Sequence, residues 1–369
     1  MQIGVPKEIK DQEGRVALTP GAVARLVACG HEVVVECGAG LDSGFSDERY
    51  RNSGARLVGA EEAWEAALVV KVKEPLPSEY HYLKQQTVFT FFHLAGVDSV
   101  LTDVLLQNGT TAIAYELVED AMGRLPILVP MSAIAGNMAT LMGAYYLAEF
   151  NGGKGVQLGR VGCSRQGRVL VVGDGVVGQH AARTAVAMGA DVQVAGIDES
   201  HMAMLKRTEL TEAEFLLSTR ENLRRFVVES DLVVGAVLCR GDKAPKIIDE
   251  AMIASMEPGS VVVDVSIDQG GCIETSRPTS HSAPTFSVHN VIHYCVSNMP
   301  GAYPRTSTLA LNEATIDYVV ELANAGPNDV QRLGNGLKKA VVAYRGKLTH
   351  YAAAAALGKL DHYQDLASF

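Results

Sequence analysis

Four stretches of this chain place charged or titratable side chains where an apolar run gives way to a turn. They are Pro6-Lys7-Glu8-Ile9-Lys10 with Arg15, Lys71-Val72-Lys73-Glu74-Pro75, Phe91-Phe92-His93-Leu94, and Asp264-Val265-Ser266-Ile267-Asp268 running into Gln269-Gly270-Gly271. Singly, each has an ordinary explanation: a surface arginine, a solvated charge run, a core histidine, a turn aspartate. Together they suit one task. Arg15 and a lysine would hold a carboxylate, the guanidinium with a bidentate grip. His93 would exchange a proton with a reacting heteroatom, since an unperturbed imidazole titrates near neutrality. Asp268 would orient an attacking water or share the proton work. That is equipment for oxidising a small amino or hydroxy acid.

A second pattern supplies the other half of an oxidation. The apolar run Val169–Val172 leads into Gly173-Asp174-Gly175-Val176-Val177-Gly178 and then an Ala-rich helical segment. Another strand-like run surrounds Val192, and the acid Asp198 stands beyond its end. Strand, spaced glycines, helix, strand and acid, in that order, form a dinucleotide-binding fingerprint. Gly173 makes the tight turn, Gly175 lets backbone approach a pyrophosphate, and Gly178 lets the helix pack close to the sheet. The new helix offers unpaired N–H groups to phosphates. The competing reading is a packing turn with no ligand. The acid comes late, because Gly196 stands at the expected strand end.

These residues need a scaffold. Strand-like runs at 1–5, 32–36, 68–72, 88–91 and 111–115 alternate with helical patterns such as 20–29 and 99–107. Such alternation predicts parallel sheets covered by helices on both faces. A long helix opens near Met131, with Ser132 close to its N-cap, and Gly152, Gly153 and Gly155 stop it. Further strands lie near Val169, Val192, Leu232 and Val261, and 306–324 and 347–357 read as helical. The expected fold is α/β, with two doubly wound domains separated by a cleft and linked by long helices. Residues 1–127 with 305–369 form a substrate domain, and 128–304 a nucleotide domain.

Bulk properties narrow the classes. A chain of 369 residues accommodates two domains, and the net charge of -10 disfavours nucleic acid. No apolar run reaches membrane-spanning length, and the N-terminus lacks the basic flank of a signal peptide. The six cysteines, at 29, 37, 163, 239, 272 and 295, are scattered without metal spacing. They are expected to be mostly buried in a reducing cytoplasm, and no metal site is evident.

With those motifs in view, the chain resembles the bacterial alanine dehydrogenases, relatives of the nucleotide-binding subunit of proton-translocating transhydrogenase. The resemblance rests on Ile3-Gly-Val-Pro-Lys-Glu8, Arg15-Val-Ala-Leu-Thr-Pro20, Val70-Lys-Val-Lys-Glu-Pro75, Phe91-Phe-His-Leu94 and Val129-Pro-Met-Ser132. It continues through Gly235-Ala-Val-Leu238, Ile267-Asp-Gln-Gly-Gly-Cys272 and Asn298-Met-Pro-Gly301, in order over nearly the whole chain. It implies Rossmann-like domains, Arg15 and Lys73 as substrate carboxylate ligands, and His93 with Asp268 as the catalytic pair. It implies cofactor contacts from Ser132, Ser218, Leu238, Ile267, Asn298 and Met299, beside Gly173, Gly175, Val176, Val177, Gly178 and Asp198. The implied reaction converts L-alanine, NAD and water reversibly to pyruvate, ammonium, NADH and a proton, in a cytoplasmic homohexamer.

Departures from the family pattern concern the cofactor most. The family places Asp where this chain has Gly196, so either Asp198 reaches the ribose or the preference for NAD over NADP is loosened. No arginine follows to hold a 2′-phosphate. The stretch Gly159–Arg165 also departs, and Asn137 stands where arginine is common. Three rival readings remain: a dehydrogenase of the same fold for another small L-amino acid, a transhydrogenase-type component, and an idle NAD(H) sensor. One methylene changes binding by only about 1–3 kcal/mol, so the first rival shares every motif above.

Overall fold

Short apolar runs rich in valine form the strands of two sheets. In chain order they are β1 (Gln2–Val5), β2 (Glu32–Glu36), β3 (Arg56–Val58), β4 (Leu68–Lys73), β5 (Thr87–Phe91), β6 (Thr111–Ala114), β7 (Arg168–Val172) and β8 (Asp191–Gly196). Then come β9 (Glu214–Leu217), β10 (Leu232–Gly235), β11 (Val261–Asp264), β12 (Thr285–Val288), β13 (Val291–Tyr294), β14 (Val341–Tyr344) and β15 (Lys347–Leu348). The computed structural model describes residues 1–96, 98–238 and 244–369. It divides into two units, Met1–Met131 with Gly301–Phe369, and Ser132–Pro300.

The first unit holds the sheet β15-β14-β6-β5-β4-β1-β2-β3. Its strands β1 to β6 pair in parallel, and the hairpin β14–β15 closes one edge antiparallel. Every residue of β4, β5 and β6 is buried, as expected of parallel strands covered on both faces. Helix Pro20–Ala28 starts as its sequence suggests: Pro20 sits where no N–H is needed, and Thr19 Oγ1 accepts from Ala22 N at 3.2 Å.

The second unit holds β12-β13-β11-β10-β7-β8-β9, parallel except for β12. Both parallel sets share one order. β3-β2-β1-β4-β5-β6 in the first unit matches β9-β8-β7-β10-β11-β13 in the second. In each, the chain starts at a central strand, builds outward one way, then crosses back to build the other way. The point of reversal lies between β1 and β4, and between β7 and β10. Open α/β sheets bind ligands beyond the C-terminal strand ends at this point.

Three sequence expectations need correction. The helix at the unit boundary runs Leu128–Tyr146, so Ser132 lies in its second turn and not near the N-cap. Pro130 is tolerated there because the N–H groups of a first turn have no helical partner. Residues 347–357 are not wholly helical. Arg345 and Gly346 both adopt positive φ, 47° and 76°, which folds β15 back on β14 before helix Tyr351–Ala356 begins. Most described cysteines are not buried: Cys29, Cys37 and Cys163 are exposed, Cys272 and Cys295 are buried, and Cys239 lies outside the described residues. Among the described residues, no helix is long and apolar enough to cross a membrane.

Candidate active site

In the first unit, Arg15 follows β1, Lys73 ends β4 and His93 follows β5, three neighbouring strands of one sheet. Lys73 pairs in register with Phe91, two residues before His93. The ordinary readings of the two basic residues fail. Arg15 is 2% exposed and Lys73 is also buried. Glu13 grips the Arg15 guanidinium with both oxygens, at 2.6 Å to Nε and 2.5 Å to Nη2, while Nη1 lies 3.2 Å from Met131 Sδ. That fork fixes the plane of the guanidinium.

Beneath Lys73, the side chain of Lys71 is fully buried between Glu8 at 3.2 Å and Glu79 at 3.0 Å. Burial alone would lower its pKa, but the two carboxylates outweigh that and hold the ammonium above its usual value. Glu8 is held above the usual carboxylate range by its own burial, with Lys71 opposing. Its Oε1 accepts from Val72 N at 2.6 Å, which ties the loop after β1 to the end of β4. Glu74 pairs with Lys10 at 2.5 Å. Among the described residues, Glu74 Oε2 and the Tyr115 hydroxyl are buried without a hydrogen-bond partner. Such orphaned groups are rare in a packed interior and fit a place where a polar ligand completes the bonding.

His93 is the most constrained residue of this group. Its φ is +46°, a left-handed conformation uncommon outside glycine and concentrated at functional positions. Glu116 holds it there. The carboxylate accepts from His93 N at 2.7 Å and Phe92 N at 3.3 Å, and stands 3.9 Å from His93 Nδ1. The imidazole stacks on Phe91 at 5.6 Å and remains 39% exposed. It is therefore held by its backbone yet open to a substrate. Sequence reasoning missed Glu116 because its partner lies 23 residues away, and Glu13 because nothing in the local pattern shows the loop turning its carboxylate onto Arg15 two residues on.

In the second unit, almost every candidate cofactor residue follows the C-terminal end of a parallel strand. Gly173–Gly178 follow β7, Asp198 β8, Ser218 β9, Leu238 β10, Ile267 β11, and Asn298 and Met299 β13; the catalytic candidate Asp268 also follows β11. Ser132 is the exception, lying on helix Leu128–Tyr146. Helix Val176–Ala187 springs from the glycine turn with Gly175 at its N-cap. A Cβ at Gly178 would lie 1.8 Å from Gly173 O, so helix and turn meet backbone to backbone. A Cβ at Gly175 would meet no described atom within 4 Å. The turn thus presents clear space before the helix N-terminus, a cradle that fits a pyrophosphate.

Asp268 is exposed on the single helical turn Val265–Gln269. That turn hangs from Asp264, which is wholly buried and accepts from Ser266 N, Cys272 N and Ile273 N at 3.1, 3.3 and 3.1 Å. Ser266 Oγ donates to Val237 O at 2.8 Å, stitching the loop after β11 to the loop after β10. Asp198 Oδ1 accepts from Ser200 N and His201 N at 2.8 and 3.1 Å, which makes it the N-cap of helix Glu199–Thr208. Ser218 N donates to Gly196 O at 2.8 Å.

Comparison with known proteins is consistent along the chain. Residues 4–135 match the family described as "Alanine dehydrogenase/PNT, N-terminal domain", and residues 139–351 match "Alanine dehydrogenase/PNT, C-terminal domain". Alanine dehydrogenase of Bacillus subtilis (strain 168) is 46% identical over 362 residues, 97% of this chain and 95% of that one. A solved L-alanine dehydrogenase superposes with a TM-score of 0.93 at 45% identity, over 98% of this chain and all of the other. A transhydrogenase from Sinorhizobium meliloti superposes with a TM-score of 0.79 at 25% identity, over 95% of this chain and all of the other.

Proposed function

The chain belongs to the alanine dehydrogenase/PNT family, and from that premise we propose that it is an NAD-dependent L-alanine dehydrogenase. It oxidises L-alanine reversibly to pyruvate and ammonium. The observation that carries this reading is the set of Arg15, Lys73 and His93 at the ends of adjacent strands, in a chain 46% identical to an alanine dehydrogenase. A transhydrogenase-type component needs no such carboxylate and proton equipment, and the similarity on that side is weaker.

Arg15 and Lys73 bind the substrate carboxylate, the arginine held flat by Glu13. The glycine turn, Val176, Val177, Ser132, Ser218, Leu238, Ile267, Asn298 and Met299 hold the cofactor. When bound, a pyridine nucleotide supplies the acceptor for the hydride that leaves the α-carbon. His93 exchanges protons at the substrate heteroatom: it takes a proton as water adds to the imine and returns one to the departing amine. Asp268 shares that proton work. The family resemblance extends the reading to a cytoplasmic homohexamer.

Steady-state rates with NAD and L-alanine, serine, glycine and 2-aminobutyrate test the reading. The expected result is substrate-dependent NADH formation fastest with alanine. A clear preference for another amino acid, or no turnover by the purified chain, overturns it.

A further inference from the structure

The strand whose end should carry the ribose-binding acid ends in glycine. β8 stops at Gly196 and lies parallel beside β7, whose glycine turn begins one residue beyond its own end. In a sheet of this order, an acid after the second strand accepts hydrogen bonds from the ribose hydroxyls and repels a 2′-phosphate. Asp198, the nearest acid along the chain, has its carboxylate committed to the cap of the following helix. Lys206, the nearest lysine, is drawn away to Ala213 O at 2.8 Å.

Another carboxylate stands at the vacant position. A Cβ built on Gly196 would lie 2.6 Å from Asp174 Oδ2 and 2.9 Å from its Cγ. The side chain of Asp174, in the glycine turn itself, therefore reaches the spot from which a residue 196 side chain would start. Its Oδ2 is buried and, among the described residues, has no hydrogen-bond partner. A shielded carboxylate oxygen left unbonded is costly, and a hydroxyl donor would relieve it. The residue is well anchored for the purpose. Its carbonyl accepts from Gln179 Nε2 at 2.8 Å and lies 3.3 Å from His201 Nε2, and Gly173 N donates to Ala195 O at 2.8 Å.

We propose that Asp174 replaces the acid missing at Gly196, binding the adenosine ribose hydroxyls and setting a preference for NAD(H) over NADP(H). The proposal rests on the pyridine nucleotide reading above. It also accounts for glycine at 196: a side chain there would meet both Asp174 Oδ2 at 2.6 Å and Met202 Sδ at 2.8 Å, so Asp174 keeps its place only beside a glycine.

Binding is read directly, by titrating the full chain with NADH and with NADPH and following nicotinamide fluorescence, without turnover. The unaltered protein should bind NADH more tightly than NADPH. Asp174→Gly should weaken NADH by about tenfold or more and bring the two affinities together, as loss of a hydrogen bond to a charged acceptor requires. Gly196→Asp alone should also weaken NADH, since two carboxylates then compete for one place. Asp174→Asn, with thermal melting as a check on folding, gives a second and gentler probe of the same charge. An unchanged NADH to NADPH ratio in both Asp174 variants overturns the proposal. Binding of neither nucleotide by the unaltered chain instead overturns the reading on which it rests.

Discussion

The two sheets reverse strand order at equivalent places, yet the two reversal points use opposite materials. Between β7 and β10 the chain offers backbone: glycines, a helix N-terminus and cleared space. Between β1 and β4 it offers side chains: Glu8, Glu13, Arg15, Lys71, Lys73 and Glu74, all buried. Topology decides where a ligand binds, and the residues decide which. The second sheet also has a buried charge cluster, but at its other end. Asp231, just before β10, accepts from Arg165 at 2.7 and 2.8 Å, Lys154 at 2.6 Å and Arg168 N at 2.8 Å. Charge at the C-terminal strand ends should serve the reaction, and charge at the N-terminal ends should serve stability.

The sharpest test is His93→Ala. Loss of a positioned acid–base group should lower turnover by about 10²–10⁴-fold. NADH affinity should stay unchanged, since the cradle belongs to the other unit. Retention of most activity would end the division of labour between the two reversal points.

Asp231→Asn should do the converse. Removing one member of a buried charge group costs about 3–5 kcal/mol, here toward the lower end because Arg165 reaches solvent. Urea unfolding reports it, while NADH affinity and KM for alanine should hold. Burial opposes ionisation of Asp231, but Arg165, Lys154 and Arg168 N outweigh it and hold the carboxyl below the usual range. A depressed folded pKa gives stability that is present above the unfolded value, near 3.8, and lost as pH falls through the folded one. The variant should therefore show a flatter loss of stability in acid. A change in KM with no loss of stability would reverse the assignment.

Gly178→Ala should combine a smaller structural cost with a binding defect. The new methyl would press on Gly173 O, and overpacking of this kind costs about 1–3 kcal/mol. NADH should bind roughly tenfold more weakly as the turn shifts from the helix N-terminus. The contrast with Asp231 shows why one reversal point was legible in the sequence and the other only partly so. A glycine turn encodes its own geometry: Gly173, Gly175 and Gly178 can be read as a cradle because local backbone sterics fix their spacing. The charged site has no such local rule. Arg15, Lys73 and His93 stand out as residue types, but Glu116 holding His93 at positive φ arises only when separate segments meet, and Glu13, two residues from Arg15, grips it only because the loop after β1 folds back on itself. Edge elements such as β3 and β14–β15 were missed for a related reason, being too short to show a period. Asp174 was overlooked because it occupies the variable position between two glycines.

The smallest effect separates the two acids after the glycine turn. Asp198 satisfies two N–H groups of helix Glu199–Thr208, and among the described residues its carboxylate has no other hydrogen-bond partner. Asp198→Ala should therefore cost about 1 kcal/mol, the ordinary value of a lost N-cap, seen as a small drop in the urea midpoint. The ratio of NADH to NADPH affinity should not move, because the carboxylate beside Gly196 is that of Asp174. If Asp198 held the ribose, the same substitution would weaken NADH by about tenfold or more and erase the discrimination. A cap and a ribose ligand thus predict different observables for one residue. Run beside Asp174→Asn, the measurement assigns the acid to the glycine turn or returns it to the loop after β8.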